Sequence, residues 1–190
     1  ITEGTRKNGR ISLEAAQVRS FKHGKPVSIG ELSVTPFRKS HDAADPHSFM
    51  ISGNGVNVGV ITDIGYACKR VIKYFSLCHA AFLESNYCED MLEKGTYPYH
   101  LKKRIRGDEG HLSNAQALEL FLQYRSPELK LLILSHLSKN NNHPRVVEKL
   151  FAPHKGRVRV VIASRYEASE LFTVKVQNSA SPGSYRNAML

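Results

Sequence analysis

At 190 residues, with 41% hydrophobic and 23% charged side chains, the chain is long enough to bury one real core. No apolar run approaches the roughly 20 residues that span a bilayer, and the opening "ITEGTRKNGR" has no apolar signal core, so no membrane partner is expected and nothing suggests secretion. The formal net charge of +10 favours polyanionic partners, of which nucleic acid is the commonest in the cytoplasm, the expected compartment.

In chain order, residues 10–20 suit a short helix. "VSIGELSVTPF" (27–37) reads as a strand pair, and "SFMISG" (48–53) with "VNVGVITD" (56–63) as a hairpin turning at Gly53-Asn54-Gly55. "CKRVIKYFSL" (68–77) has helical spacing, and "AAFLES" (80–85) is a short apolar strand. Helices are expected near 88–94 and 98–106, with Pro98 at a first helical position. Ser113-Asn114 caps an amphipathic helix, "AQALELFLQYR". The aliphatic run Leu131–Leu134 is a buried strand. A helix near 144–151 and two last strands, "VRVVIAS" (158–164) and "LFTVKVQ" (171–177), follow. Alternating strands and helices indicate a layered α/β fold with antiparallel hairpins mixed in. Residues 1–177 read as one domain and 178–190, rich in Ser, Gly and Pro, as a loose tail.

Lys and Arg gather at "FRKS" (37–40), "LKKRIRG" (101–107) and "HKGRVR" (154–159), the stretches expected to grip a polyanion. The cysteines Cys68, Cys78 and Cys88 form no C-x-x-C, so reduced thiols are expected rather than a disulfide framework or a zinc knuckle.

Three strands end in an ionisable group. "VTPFRKSHDAADP" (34–46) runs into His41-Asp42, "VGVITDIG" (58–65) into Asp63, and "LLILSHLSKNNNHP" (131–144) into His136. Layered sheets place their ligand crevice at such ends. A lone His after a strand is usually unremarkable, and an Asp before Ile-Gly is commonly a turn residue. Two His and one Asp together, however, are a conventional donor set for zinc-like cations. "FLESNY" (82–87) adds Glu84 at another strand end, and "GDEGHLSNAQA" (107–117) sets His111 just before a helix. A carboxylate and a histidine brought together there could orient a proton donor, although a local capping contact explains His111 equally well.

These segments, with "LESNYCEDML" (83–92) and "YPYHLKKRIRGDEGHLSN" (97–114), resemble the second half of a metallo-β-lactamase-fold hydrolase. The resemblance is closest to the WalJ/YycJ-like subgroup, with a more distant relation to tRNA 3′-processing endonucleases, and covers roughly residues 25–150. It implies an αββα sandwich, here incomplete at its N-terminal half. It further implies two divalent metal ions, usually zinc and sometimes manganese. On the matching positions it makes His41 a ligand of the first metal, Asp63 the bridging carboxylate and His136 a ligand of the second. Glu84 and His111 resemble the pair that assists leaving-group protonation. The implied chemistry is phosphodiester hydrolysis of DNA or RNA by a metal-bound hydroxide. The alternatives are hydrolysis of small esters, thioesters or lactones, and a non-catalytic nucleic-acid-binding remnant.

One feature of the family is missing. Its hallmark His-x-His-x-Asp-His supplies four ligands upstream of the segment matching "ITEGT", yet no histidine here has another two residues away. With no initiating Met, the chain is expected to be a C-terminal portion of a longer protein. Alone, it should bind metal weakly, turn over little, and associate with another chain through its unfinished sandwich. Tyr87 stands where such proteins often carry His.

Overall fold

The computed structural model describes residues 1–9 and 19–175. The expected helix at 10–20 falls mostly outside those residues, and Arg19 and Ser20 are not helical. The expected tail at 178–190 lies wholly outside them. The chain begins with a helix the sequence reading missed, α1 (Glu3–Asn8), whose Thr2 side chain caps Thr5 N at 3.2 Å.

Among the described residues, seven strands form one sheet in sequence order: β1 (Val27–Ile29), β2 (Leu32–Arg38), β3 (His47–Gly53), β4 (Val56–Ile61), β5 (Ala80–Glu84), β6 (Leu131–Ser135) and β7 (Arg159–Ile162). The first four make an antiparallel meander. Asn54 and Gly55 turn the β3–β4 hairpin, both at positive φ (49° and 75°), matching the twist of the strands they join. From β4 onward the pairing is parallel.

Parallel neighbours require crossovers, and here each carries helix. α2 (Lys69–Phe75) joins β4 to β5. The helices α3 (Glu89–Lys94), α4 (Tyr99–Arg106) and α5 (Asn114–Tyr124) join β5 to β6, and α6 (Pro144–Phe151) joins β6 to β7. Because the strands advance across the sheet in one direction with a fixed crossover hand, α2, α5 and α6 stack on one face. Their Val71, Phe75, Leu120, Phe121, Val147 and Phe151 meet Phe37, Met50, Ile61, Leu83, Leu132 and Leu134 from the strands. Pro98 sits one position earlier than expected, capping α4 rather than opening it.

The opposite face also carries apolar side chains. Pro36, Phe49, Val60, Phe82, Ile133 and Val161 stand in register across six strands. Phe82 remains 38% exposed there. The architecture is therefore one sheet with one helical layer, half of an αββα arrangement.

The expected last strand is corrected. Its described part, residues 171–175, joins no ladder; instead Phe172 and Val174 lie over Ala80, Leu131, Ile133 and Val161. Alternation in "LFTVK" reports which side chains face the sheet, not backbone pairing.

Candidate metal centre

β2 and β4 each pair antiparallel with β3, so they run the same way, as do β5 and β6, which continue parallel from β4. All four C-terminal ends therefore reach one rim. His41 follows β2, Asp63 follows β4, Glu84 ends β5 and His136 follows β6. His111 arrives from the loop before α5. The five residues singled out in the sequence come together at this rim.

Asp63 is central. Its Oδ1 lies 3.8 Å from His41 Nε2 and 3.5 Å from His136 Nε2. The three imidazoles form a row, with ring centroids 5.1 Å apart for His41 and His111 and 5.2 Å for His111 and His136. Asp63 and His136 both occupy the left-handed backbone region (φ 53° and 59°). Non-glycine residues adopt it at a cost of order 1–3 kcal/mol, and its concentration at two strand tips is typical of functional sites.

Glu84 explains the ring orientations. Its side chain is fully buried, and Oε1 accepts from His111 Nδ1 and His136 Nδ1, both at 2.7 Å. Oε2 accepts from Ile64 N at 2.7 Å and Leu112 N at 3.3 Å. Burial pushes this carboxyl upward, but the two imidazoles and the backbone donors outweigh it and hold Glu84 below its usual range. The same hydrogen bond raises the His136 pKa against the opposing effect of burial. His41 Nδ1 is tied to Gly110 O at 3.0 Å. With every Nδ1 engaged by an acceptor, each Nε2 is left as a lone-pair donor toward the rim.

Close packing holds this arrangement. A Cβ on Gly110 would stand 2.2 Å from Ile105 O, and one on Gly65 would stand 2.0 Å from Asp108 O. Only glycine lets the 63–65 turn and the 107–111 loop approach this tightly.

Asp63, Glu84, His111 and His136 offer ligand atoms all within 4.8 Å of one another. Glu84 is the poor member of that group, because its oxygens are already occupied by four donors inside the protein. Its place is behind the imidazoles, and it serves both His111 and His136 rather than His111 alone as the sequence reading had it. The Nε2 atoms of His41 and His136 with the Asp63 carboxylate are the nitrogen and oxygen donors that zinc-like cations take, so the site fits divalent metal.

Sequence reasoning missed two supports. Lys39, counted there as part of a basic cluster, is buried: its Nζ donates to Thr62 O at 2.6 Å and faces Asp63 Oδ2 at 3.9 Å. Burial lowers its pKa, with Asp63 and Glu84 opposing. The second is the "NNN" of the last motif, read as a polar turn. Asn142 is buried and exchanges amide hydrogen bonds with Asn114 (2.8 and 2.9 Å). It also donates to Ser85 O (2.8 Å) and Asn86 O (2.9 Å), while Asn86 Nδ2 donates to His136 O at 2.8 Å. This network binds the loops bearing Glu84, His111 and His136. Asn142→Ala strands at least two buried groups at roughly 1–3 kcal/mol each, so about 3 kcal/mol of stability and roughly 10 °C in Tm should be lost in thermal unfolding.

The basic runs are largely spent internally. Arg104 grips Asp42 through Nε (2.6 Å) and Nη2 (2.5 Å), Arg106 pairs with Glu93, and Arg159 pairs with Glu170 at 2.5 Å. Tyr87 is buried in a side cluster with Leu92 and Ile105 beneath α4, where burial drives its pKa to about 12. The cysteines are unpaired thiols. Among the described residues no helix is long and apolar enough to cross a membrane.

The family model of the β-lactamase superfamily domain matches residues 3–136, and the chain belongs to that family. It is 35% identical over 122 residues to the exodeoxyribonuclease YycJ of Bacillus anthracis, covering 64% of this chain and 46% of that protein. It is 31% identical over 130 residues to the exodeoxyribonuclease WalJ of Streptococcus pneumoniae, covering 68% and 48%. The chain thus spans about half the length of these relatives. Among solved structures, the metallo-β-lactamase fold protein YhfI from Bacillus subtilis superposes with a TM-score of 0.58 at 16% identity, covering 76% of this chain and 52% of that one. Zn(2+)-bound PqqB from Methylobacterium extorquens superposes with a TM-score of 0.56 at 16% identity, covering 78% and 55%.

Proposed function

We propose that this chain carries one half of a metal-dependent phosphodiesterase centre acting on nucleic acid. The observation that carries the reading is the convergence of His41, Asp63 and His136 on one rim, with every imidazole held in the tautomer that leaves Nε2 to a cation. His41 would contribute to one divalent ion, His136 to a second, and Asp63 lies between them. When bound, such ions lower the pKa of water and neutralise charge on a phosphoryl oxygen. The names of the YycJ and WalJ relatives and the net charge of +10 favour a nucleic-acid substrate.

The remaining chemistry falls to the chain's own groups. His111 stands at the rim with Nδ1–H held by Glu84, so a protonated ring would present Nε2–H to the leaving oxygen while the carboxylate behind it compensates the charge. Arg104 holds Asp42 beside His41, fixing the loop that carries the first imidazole.

The test is side-by-side assay of the intact gene product, with zinc or manganese, on single-stranded DNA, RNA and a set of small esters and lactones. Chelator-sensitive cleavage of phosphodiesters that weakens steeply with salt is the expected result. Ester or lactone turnover without phosphodiester turnover, or a metal content below about one equivalent, sinks the reading.

A further inference from the structure

The three basic runs that stand out in the sequence are mostly consumed by internal pairs, which raises the question of what near the site remains to hold a strand. A cleft of about 740 Å³ opens directly beside the metal rim and has His136 itself in its wall. The rest of that wall includes Lys139, His143, Arg165 and Tyr166, and among the described residues no carboxylate lines it. Neither Lys139 nor Arg165 belongs to the three runs. Tyr166 is 80% exposed, a large aromatic surface left in water at the mouth of a positively charged hollow.

The loop is built to present these groups. Ser164 Oγ accepts from both Tyr166 N and Glu167 N at 3.1 Å, fixing the turn on which Arg165 and Tyr166 sit. Arg165 Nη2 donates to Leu137 O at 2.5 Å, which anchors the guanidinium to the residue after His136 with one of its five N–H donors. The rest of the fork remains for a phosphate.

We propose that this cleft is the seat of a single-stranded nucleotide next to the scissile phosphate, its backbone phosphate on Arg165 and Lys139 and its base stacked on Tyr166. The inference rests on the phosphodiesterase reading and adds the substrate's strandedness. An aromatic face accepts any unpaired base, whereas a base inside a duplex is already stacked.

The experiment is fluorescence anisotropy of fluorescein-labelled decathymidine with this chain in EDTA, so that binding is read without catalysis. Wild type is expected to bind in a salt-dependent manner, and unlabelled duplex should compete poorly. Tyr166→Ala should weaken binding about tenfold, the scale of one lost base–aromatic stack, while Tyr166→Phe keeps it. Arg165→Gln should weaken binding and flatten the log–log salt slope by about one. Equal affinity of wild type and Tyr166→Ala, or no binding by wild type, overturns the cleft. Cleavage by the intact gene product that is indifferent to both substitutions also overturns it while leaving the phosphodiesterase reading standing. Tyr166-dependent binding without any metal-dependent cleavage does the reverse.

Discussion

His136→Ala should remove measurable hydrolysis from the intact gene product and lower its zinc affinity by more than 100-fold, with the fold retained. An orienting partner behind a metal ligand typically contributes 10–100-fold, and a direct donor should exceed it. The fold survives because His136 lies past the end of β6, outside the hydrophobic core, and its ring is part-exposed. What the protein loses internally is one of the four hydrogen bonds on Glu84, which keeps its contacts to His111, Ile64 and Leu112. His111→Ala is the informative contrast: if His111 acts as the proton donor, metal content stays near wild type while the rate falls. Zinc titration with a competing chelator, alongside single-turnover cleavage, separates the two. Undiminished zinc affinity in His136→Ala would falsify the ligand assignment.

The same site sets a pH dependence. The hydrogen bond that His136 donates to Glu84 raises the His136 pKa, so that ring is protonated over a wider range than a free imidazole. The sign follows from linkage: a raised histidine pKa stabilises the metal-free chain below its ordinary pKa near 6.5, and this contribution is lost as pH rises through the raised value. A cation needs the neutral ring, so zinc affinity should fall as pH drops below that raised value, with proton release on binding. Calorimetry in buffers of different ionisation enthalpy measures the released proton directly. Binding enthalpies independent of the buffer at pH 6.5 would contradict it.

How much of this was legible beforehand differs by residue. The strand tips were visible because an aliphatic run ending in His or Asp is a local pattern, and β2, β4, β5 and β6 run the same way once a meander is followed by right-handed crossovers. His41, Asp63 and His136 could therefore be placed on one rim from the sequence. Glu84 was visible as a strand end, but its double duty was not. Bridging two imidazoles depends on the separation of loops 27 and 52 residues away, which no local spacing encodes. Lys39 and Asn142 were misread for a related reason. Composition counts a lysine as surface charge and an asparagine as turn former, while burial against Asp63 or Asn114 converts each into a scaffold. The arginines of "LKKRIRG" show the converse: their clustering is real, yet Arg104 and Arg106 find acidic partners 62 and 13 residues away. The alternation at 171–175 was a true signal of facing that carried no information about pairing.

Glu84→Gln should give the largest effect per atom changed, because one oxygen becomes an NH₂ in a site that contains only donors. If the amide nitrogen faces the imidazoles, His111 and His136 must each present a bare Nδ1 to accept from it, and their protons move to Nε2. His136, the ligand of the two, can then no longer bind a cation. If the nitrogen instead faces Ile64 N and Leu112 N, it meets two backbone donors with no acceptor between them, all fully buried. Each buried group left unsatisfied is worth roughly 1–3 kcal/mol, so the second placement costs about 4 kcal/mol. The first is the cheaper, and it switches the site off. The expected outcome is a 10–100-fold loss of zinc affinity with a Tm drop of only a few degrees. The ¹⁵N shifts of the imidazoles in the metal-free chain should invert, with Nε2 rather than Nδ1 protonated on at least one of the two rings. Glu84→Asp offers the control, since a shorter carboxylate keeps the acceptors but cannot reach both rings, and should restore one tautomer only. Wild-type tautomers and zinc affinity in Glu84→Gln would mean that the rings are set by their own loops, and that the buried carboxylate is a structural strut rather than the device that aims them.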